Sequence, residues 1–422
     1  YHPVLLTKLL LYAYCEGVVS SRAIAAKTYT DVAFRVLAAD QHPDFRTISD
    51  FRERHLSALT ALFVQVVRLA GRLGLTKLEH VAQDGSKILA NASKHRAMSY
   101  ARMQQAEERL GREIQTLLAA AQAVDAAEDA AHGADRSGDE PPPDLGGEVA
   151  RRERRLATIR QAKAALEAEA RAEAEAIRAA DAAERQRRAA AGERQKPGKV
   201  PQPKEEPADT AQRNFTDPAS RIMPNADKAF VQAYNGQIAV DAGGDQIIVG
   251  CLLTNQSADP AHLAPMLDRV QAVTGRVPGE WSADAGYFSA DNIAAVERAG
   301  GIAYIPPDRP AHGAQAPPAV ARLLATGEAA PPASVVDDEN AVKAAMRARL
   351  ATEAGRRAYG RRKQTVEPVF GQLKERRGLR RFLLRGLEKV RAEWTLWCLT
   401  HNLLKLVRAL RRRPALRQRL AA

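Results

Sequence analysis

Residues 100–200 differ in composition from the rest of the chain, and they constrain the fold more than any other segment. Alanine, glutamate, arginine and glutamine dominate, and apolar residues recur at steps of three and four, the spacing of one helix face. These apolar positions are Leu110, Ile114, Leu117, Ala121, Val124, Val149, Leu156, Ile159, Ala162, Leu166, Ala170, Ala174 and Ile177. A loop rich in Gly, Asp and Pro at 133–143 divides them into two runs. We therefore predict two helices in an antiparallel hairpin with the near-heptad packing of a coiled coil.

The predicted hairpin interrupts a chain that is otherwise globular. Lys196–Pro207 is rich in Pro, Lys and Glu and is predicted to be a disordered linker. The length of 422 residues allows two or three domains with sizeable cores. We predict an N-terminal helical domain at 1–78, a second domain built from 79–99 and 214–422 together, and an inserted coiled-coil hairpin with its linker at 100–213.

The N-terminal domain shows apolar spacings typical of helices. Val4–Val19 is apolar but short and contains two charged residues, so it predicts a packed helix and not a membrane span. Ser20 predicts the start of a second helix, and Thr47 predicts an N-cap further on. The apolar spacing from Phe51 to Leu73 predicts one long helix.

Strands and helices alternate in the second domain. Phe230–Val240, a turn, and Gln246–Leu253 predict a β-hairpin. Short apolar runs that end at Asp84 and at Asp284 predict two further strands, and another is expected at 302–305. Helices are expected between these strands and through the C-terminal part. We therefore predict an α/β fold with a mixed sheet flanked by helices.

The chain is strongly basic, and the charge is concentrated towards its C-terminal end. The net charge is +13, while Arg356–Ala422 alone holds 20 Lys and Arg against four Glu, a net charge of +16. Such a surface indicates a polyanionic partner, and nucleic acid is favoured over the alternative of a merely solvated face.

The three cysteines do not predict a zinc site or a disulfide framework. Cys15, Cys251 and Cys398 are scattered and lie in apolar contexts, which fits a reducing cytoplasm. The chain begins at Tyr1 rather than Met, so we expect part of the natural N-terminus to be missing.

Three acidic residues lie in contexts that suggest a shared role. Asp84 lies in a Gln-Asp-Gly-Ser-Lys segment, Asp284 in an Asp-Ala-Gly-Tyr segment, and Glu367 in a basic stretch predicted to be helical. Any single Asp is more often a cap or a surface charge, but carboxylate oxygens suit Mg²⁺. Two such ions about 3.5–4 Å apart can support phosphodiester cleavage. The three contexts together predict metal-dependent chemistry on a nucleic-acid backbone.

Basic residues surround Glu367 on the predicted helix. Lys363, Glu367 and Lys374 are spaced so that one continuous helix would place them on one face, with one metal ligand between two phosphate contacts. The alternative is a simple Lys–Glu pair worth a few tenths of a kcal/mol. Pro368 can begin or kink the helix there and turn Lys363 away.

At these motifs the chain resembles the DDE transposases of bacterial insertion sequences, in the group whose Glu lies in a Tyr–Arg/Lys–Glu–Lys signature. Several motifs occur in the family's order. The spans with this resemblance are His2–His55, Asp84–Met103, Asn214–Met223, Asp284–Phe288 and Tyr359–Lys374.

The signature departs from the family pattern by one residue. The usual spacing leaves two residues between Tyr and Arg and three between Arg and Glu. Arg362 satisfies the first gap from Tyr359 but leaves four residues before Glu367, whereas Lys363 satisfies the second gap. The resemblance therefore assigns the basic role to Lys363, with Arg362 sharing it.

The resemblance implies a ribonuclease-H-like catalytic domain that cuts and joins DNA with Mg²⁺, with Mn²⁺ as a substitute and two ions in the site. Asp84, Asp284 and Glu367 would be the metal-binding acids. Tyr359, Arg362, Lys363 and Lys374 would contact DNA near the cut. The implied partners are the transposon's terminal inverted repeats, target DNA and further copies of the chain in a homodimer or larger assembly. The implied location is the bacterial cytoplasm, in association with the nucleoid.

The role of the N-terminal domain stays open between two possibilities. Its short helices contain Arg22, Arg46, Arg52 and Arg54, which suit a DNA-binding module. A packing or dimerisation domain is equally compatible, because no recognition helix stands out. For the whole chain, the alternatives to a transposase are a standalone nuclease of the same fold and a catalytically idle DNA-binding protein derived from a transposase.

Overall fold

The computed structural model divides the chain into two compact units. One unit comprises Tyr1–Asn91 with Met223–Ala422, and the other comprises Ala92–Ile222. The described residues are 1–132, 144–192, 200–225, 227–308 and 339–421.

Three predictions made from composition fall wholly or partly outside the described residues. The loop predicted at 133–143 lies outside them, as do the first four residues of the linker Lys196–Pro207. The rest of that linker has neither helix nor strand. Pro306–Pro332 is rich in Pro, Ala and Gly and is expected to be a mobile loop, but all of it beyond residue 308 lies outside the described residues.

The first unit begins with five helices. Their bounds are α1 (Pro3–Cys15), α2 (Ser21–Thr30), α3 (Val32–Leu37), α4 (Phe45–Arg54) and α5 (Leu56–Arg72). The predicted packed helix is therefore confirmed as α1, and the predicted start at Ser20 is confirmed as the residue that precedes α2.

Two predictions about α4 and α5 are wrong. The N-cap is Asp44, whose carboxylate accepts a 2.8 Å hydrogen bond from the Arg46 amide, so the helix begins before Thr47. The single long helix from Phe51 to Leu73 is also broken, because His55 adopts φ −112° and ψ 23° and separates α4 from α5. The apolar spacing continues across the break, which is why the pattern alone did not reveal it.

The first unit is built around a mixed sheet of six strands, which confirms the α/β class. The strands are β1 (His80–Leu89), β4 (Arg221–Pro224), β5 (Phe230–Asp241), β6 (Ile248–Thr254), β7 (Glu280–Ser282) and β8 (Ile302–Tyr304). Their order is β4-β5-β1-β7-β8, with β6 also paired to β5. Strands β5 and β6 form the predicted antiparallel hairpin, while β1 runs antiparallel to β5 and parallel to β7.

Strand β1 is longer than the sequence predicted. We expected it to end at Asp84, but it continues to Leu89, and Gly85–Leu89 pair residue by residue with Gln237–Ala233 of β5. The polar Gly-Ser-Lys segment looks like a turn in isolation. Here the neighbouring strand supplies its backbone partners, so Asp84 lies mid-strand.

The further helices of this unit lie between its strands and after its last strand in the sequence. They are α8 (Leu263–Thr274), α9 (Ala290–Arg298), α10 (Glu339–Ala351), α11 (Glu353–Gly371), α12 (Leu387–Arg412) and α13 (Pro414–Ala421). Helix α12 packs on the sheet through buried Trp394, whose indole donates a 3.2 Å hydrogen bond to the Gln237 carbonyl oxygen. Among the described residues, no helix is both long and apolar enough to cross a membrane.

The second unit is a pair of long helices on a two-stranded base. Its elements are β2 (Ala97–Ser99), α6 (Tyr100–His132), α7 (Leu145–Ala190) and β3 (Gln212–Asn214). Arg152 pairs with Glu113 at 3.0 Å and Arg160 with Glu107 at 2.8 Å, so the helices run antiparallel, as predicted. The predicted apolar face is buried near the base, whereas Ile177 is 40% exposed. Coiled-coil packing stays a prediction.

Candidate functional site

Asp84 and Asp284 come together at the centre of the sheet. Ala82 of β1 pairs in parallel register with Ser282 of β7, and each Asp lies two residues beyond this pair. The two carboxylates are close enough that the charge of Asp284 helps to raise the pKa of Asp84. Two acids separated by 200 residues in sequence therefore act on each other electrostatically.

The Asp84 carboxylate is mostly buried and already has two donors. One oxygen accepts a 2.8 Å hydrogen bond from the Gly85 amide, and the other accepts a 3.0 Å bond from Nη1 of Arg362. Burial raises the pKa of Asp84 to about 6, and the charge of Asp284 adds to that rise, while Arg362 and the Gly85 amide oppose it. The charges of Asp84 and Asp284 therefore favour the binding of a cation at this site.

Asp284 is positioned by the turn that follows β7. It caps a short 3₁₀ turn at Ala285–Tyr287, and its carboxylate accepts a 2.9 Å hydrogen bond from the Gly286 amide. The buried Tyr287 hydroxyl donates to the Gln237 side chain. Burial raises the pKa of Tyr287, and the charges of Asp259, Asp84 and Asp284 add to it, so this hydroxyl stays a donor.

Helix α11 brings two of the signature residues, Tyr359 and Arg362, close to Asp84. Thr352 caps it with a 3.0 Å bond from the Gly355 amide, and the helix continues through Pro368. Arg362 is buried towards β1, with its guanidinium carbon 5.7 Å from the centre of the Tyr359 ring. Burial raises the pKa of Tyr359.

Glu367 does not join the two aspartates in this structure. Glu367 and Lys363 both lie on the exposed side of α11, whereas Arg362, Val366 and Val369 form its buried side. Within the described residues, the Glu367 side chain has no hydrogen bond or ion pair. The Lys363–Glu367 helix pair, which was the alternative interpretation of this stretch, is likewise not formed there.

Lys374 lies closer to the aspartates than the other predicted lysine. Helix α11 ends at Gly371 and is followed by a π-helical turn at Gln372–Arg376, so the expectation of one continuous helical face is wrong. This turn directs the ammonium group of Lys374 to the Ser86 hydroxyl, two residues beyond Asp84 on β1. Burial lowers the pKa of Lys374.

A polar cluster that the sequence did not reveal lies beside the Asp284 turn. Oδ1 of Asp259 accepts hydrogen bonds from Asn235 at 2.8 Å and Gln237 at 2.9 Å, and it pairs with Lys87 at 3.3 Å. A side chain added at Gly286 would approach both Asp259 and Asp284, so these two carboxylates flank the same turn. Asp259 lies in a loop with no recognisable motif, and no signal in the sequence marks it.

Comparison with known families agrees with the resemblance at both ends of the chain. Residues 331–407 match the transposase DDE domain, and residues 1–54 match a transposase domain (DUF772). Together the two matches indicate an insertion-sequence DDE transposase. No curated protein and no solved structure matches the chain. The transposase DDE match covers α11 and most of α12, whereas Asp84 and Asp284 lie outside both matched ranges.

The N-terminal transposase domain contains the four arginines predicted to contact DNA, and they lie in different environments. Arg22 and Arg46 are exposed, with their guanidinium carbons 4.8 and 5.6 Å from the centre of the Phe45 ring, and Arg54 is also exposed. Arg52 is only 5% exposed and donates to the Tyr14 hydroxyl, the Val19 carbonyl and the Ser21 hydroxyl. Arg52 therefore holds α1, α2 and α4 together.

The carboxylates of the candidate site fit a divalent cation only in part. Among the described residues, no three His, Cys, Asp or Glu side chains are close enough to hold a metal ion together. Asp84 and Asp284 do provide hard oxygens of one charge that act on each other, and the Arg362 guanidinium is a positive charge in contact with Asp84. These two residues fit Mg²⁺, while Glu367 would have to approach them.

Proposed function

We propose that this chain is a DNA transposase that cuts transposon ends and joins them to target DNA by metal-dependent phosphoryl transfer. The observation that supports this most is the meeting of Asp84 on β1 with Asp284 just after the parallel strand β7, beside a helix that belongs to the transposase DDE match. We infer that the sheet and its helices are a ribonuclease-H-like catalytic domain, formed by 79–99 and 214–422.

In this proposal three acids hold the metal. Asp84, Asp284 and Glu367 would bind Mg²⁺, with Mn²⁺ as a substitute and two ions in the complete site. Bound metal would activate the attacking hydroxyl or water and stabilise the leaving oxygen. The protein's own contribution is to hold Asp84 rigidly in mid-strand and Asp284 in a capped turn, so that their oxygens face one point.

Basic and aromatic side chains near the acids would hold the DNA backbone. Lys374 lies next to β1 and would contact a phosphate near the cut, together with Tyr359 and Lys363 on α11. Their contacts would be independent of sequence. The exposed N-terminal arginines Arg22, Arg46 and Arg54 would add to recognition of the transposon ends, whereas Arg52 acts inside the bundle.

The partners follow from the same proposal. They are the terminal inverted repeats of the transposon, target DNA, and further copies of the chain in a homodimer or larger assembly. Residues 1–78 would bind the ends or mediate dimerisation, and the coiled-coil hairpin at 100–213 would provide partner or DNA contacts. The chain would work in the bacterial cytoplasm, at the nucleoid.

A strand-transfer assay on paired DNA ends tests the proposal against its two alternatives. The substrate is duplex DNA with the element's own flanking ends, a second duplex as target, and Mg²⁺. A transposase yields joined products, and a standalone nuclease of the same fold yields cleaved ends without joining. A catalytically idle DNA-binding protein shifts the DNA in a gel and yields neither product. Either of the last two results would overturn the proposal.

A further inference from the structure

Arg362 forms an ion pair with one of the two carboxylate oxygens of Asp84. Its Nη1 lies 3.0 Å from Oδ2 of Asp84, and only 8% of the Arg362 side chain is exposed. The other oxygen of Asp84 already accepts the Gly85 amide. Oδ2 is therefore the oxygen that the guanidinium controls.

The Arg362 guanidinium contacts an aromatic ring, but one of its hydrogen-bond donors has no partner among the described residues. The Tyr359 ring lies 5.7 Å from its central carbon, a distance compatible with a cation–π contact. Its Nε is buried and has no hydrogen-bond partner among the described residues. A buried donor without an acceptor is costly, so a neighbouring anionic oxygen would be favourable there.

The binding of a divalent cation and a guanidinium to the same carboxylate oxygen is energetically unfavourable. Both are positive, and their repulsion is strong within a few ångströms where little water screens it. We propose that Arg362 is the resident counter-ion of Asp84, that a divalent metal competes with it for Oδ2, and that metal binding releases the guanidinium to a phosphate of the DNA backbone. This inference rests on the proposed function, because it requires Asp84 to be a metal ligand.

The exchange gives the two ligands an order. Without metal, Arg362 neutralises Asp84 and is unavailable to DNA. With metal bound, the metal ion neutralises Asp84 in place of Arg362, and the planar guanidinium can bind a phosphate with two parallel hydrogen bonds. The DNA backbone would then be held tightly only where a metal is present to act on it. Arg361, the adjacent cation on the other side, is exposed and makes no hydrogen bond to Asp84, so it provides the matched control.

Metal binding to the DNA-free protein tests the competition directly. We would titrate Mn²⁺ into wild type, Arg362→Gln, Arg362→Lys and Arg361→Gln, and follow free Mn²⁺ by electron paramagnetic resonance. Removing the competing charge should tighten Mn²⁺ binding in Arg362→Gln by about tenfold, which corresponds to about 1.4 kcal/mol. Arg362→Lys keeps the charge and should remain near wild type, as should Arg361→Gln. Equal affinity in all four proteins would overturn the inference.

A second measurement uses the wild-type protein and so does not depend on any variant folding. The ¹⁵Nε resonance of Arg362 is followed while Mg²⁺ is added, and it should shift with the same midpoint as metal binding. An unchanged resonance at saturating metal would overturn the exchange. DNA affinity tests the release of Arg362: Ca²⁺ should tighten binding to a short nonspecific duplex in wild type and Arg361→Gln but not in Arg362→Gln. An equal gain in all three proteins would contradict the release of Arg362.

The control for the proposed function is Asp84→Asn. If wild type and Asp84→Asn bind Mn²⁺ equally, Asp84 is not a metal ligand, and the proposed function fails together with the inference. If Asp84→Asn loses Mn²⁺ while Arg362→Gln binds like wild type, only the inference fails.

Discussion

Asp284 acts on Asp84 across two neighbouring parallel strands. Burial and the charge of Asp284 together raise the pKa of Asp84 to about 6, although Arg362 and the Gly85 amide favour the ionised form. The pair is therefore under electrostatic strain in the folded protein without metal, and a bound cation would relieve it.

This relationship predicts how stability depends on pH in the absence of metal. The folded state holds the Asp84 proton more tightly than the unfolded chain, whose Asp has a pKa near 3.8. As pH rises from 3.8 to about 6, the unfolded chain loses the proton first, so the free energy of unfolding falls. Below this pH range Asp84 is protonated in both states and does not change the free energy of unfolding. Above it, the loss of stability is constant.

Asp84→Asn removes this titration. In EDTA, the free energy of unfolding of the variant minus that of wild type should rise across the window by at most about 3 kcal/mol. The measurement is urea unfolding at several pH values. Taking the difference removes the contributions of other titrating groups to the free energy of unfolding. One such group is His80, because burial lowers its pKa to about 4. A difference that is flat from pH 4 to pH 7 would refute the raised pKa.

We predict that position 85 must be glycine, because a side chain of β5 leaves no room for a larger residue. A methyl group on Gly85 would overlap the side-chain amide of Gln237, which is fully buried and hydrogen-bonded to Asp259. Gly85→Ala should therefore lower the free energy of unfolding by about 1–3 kcal/mol. Gly360 on α11 has open space around it, so Gly360→Ala should be neutral or stabilise by up to about 1 kcal/mol. Equal effects of the two substitutions would contradict this packing.

Arg377 is predicted to be a structural residue and not a DNA contact. It is buried, and its guanidinium donates to the Tyr14 carbonyl at 2.6 Å, the Trp397 carbonyl at 3.3 Å and the Thr400 hydroxyl, which joins α1 to α12. Arg377→Lys cannot make this fork of bonds and should cost about 2–4 kcal/mol in urea unfolding. The exposed neighbour supplies the control, since Arg376→Lys should leave stability unchanged. A stable Arg377→Lys protein would show that the fork is dispensable.

The helical hairpin is predicted to be removable. Its two ends meet at the β2–β3 pair, where the Tyr100 amide donates a 2.8 Å hydrogen bond to the Ala211 carbonyl. A short Gly/Ser linker can therefore replace residues 103–208 while both strands stay in register. The shortened chain should keep one cooperative unfolding transition, followed by circular dichroism. Loss of that transition would mean that the hairpin belongs to the core.

The sequence predicted those parts of the fold that short-range patterns specify. The β5–β6 hairpin follows from two apolar runs around a turn, and α1 follows from its apolar spacing. Boundaries failed where two local signals competed, as at Asp44 and Thr47, or where a distant partner decided, as with β5 extending β1 beyond Asp84.

The sequence marks some residues of the candidate site by their context but does not contain its geometry. Asp84 and Asp284 were identified by context, and their meeting depends on the parallel register of β1 and β7, which no local pattern contains. Arg362 and Lys363 are adjacent in sequence, and only the side of α11 that faces β1 decides which one contacts Asp84. Asp259 was missed because its neighbours in space come from other strands.

Cleavage of the element's own ends by three single variants tests the central claim most directly. Asp84→Asn, Asp284→Asn and Glu367→Gln keep side-chain volume and remove a ligand charge, so each should bind DNA like wild type and lose Mg²⁺-dependent cleavage. Glu375→Gln, an exposed acid just beyond the same helix, should cleave normally. Glu367 is the sharpest case, because it lies away from the aspartates in this structure. Cleavage at the wild-type rate by any of the three variants would contradict the assignment of that acid.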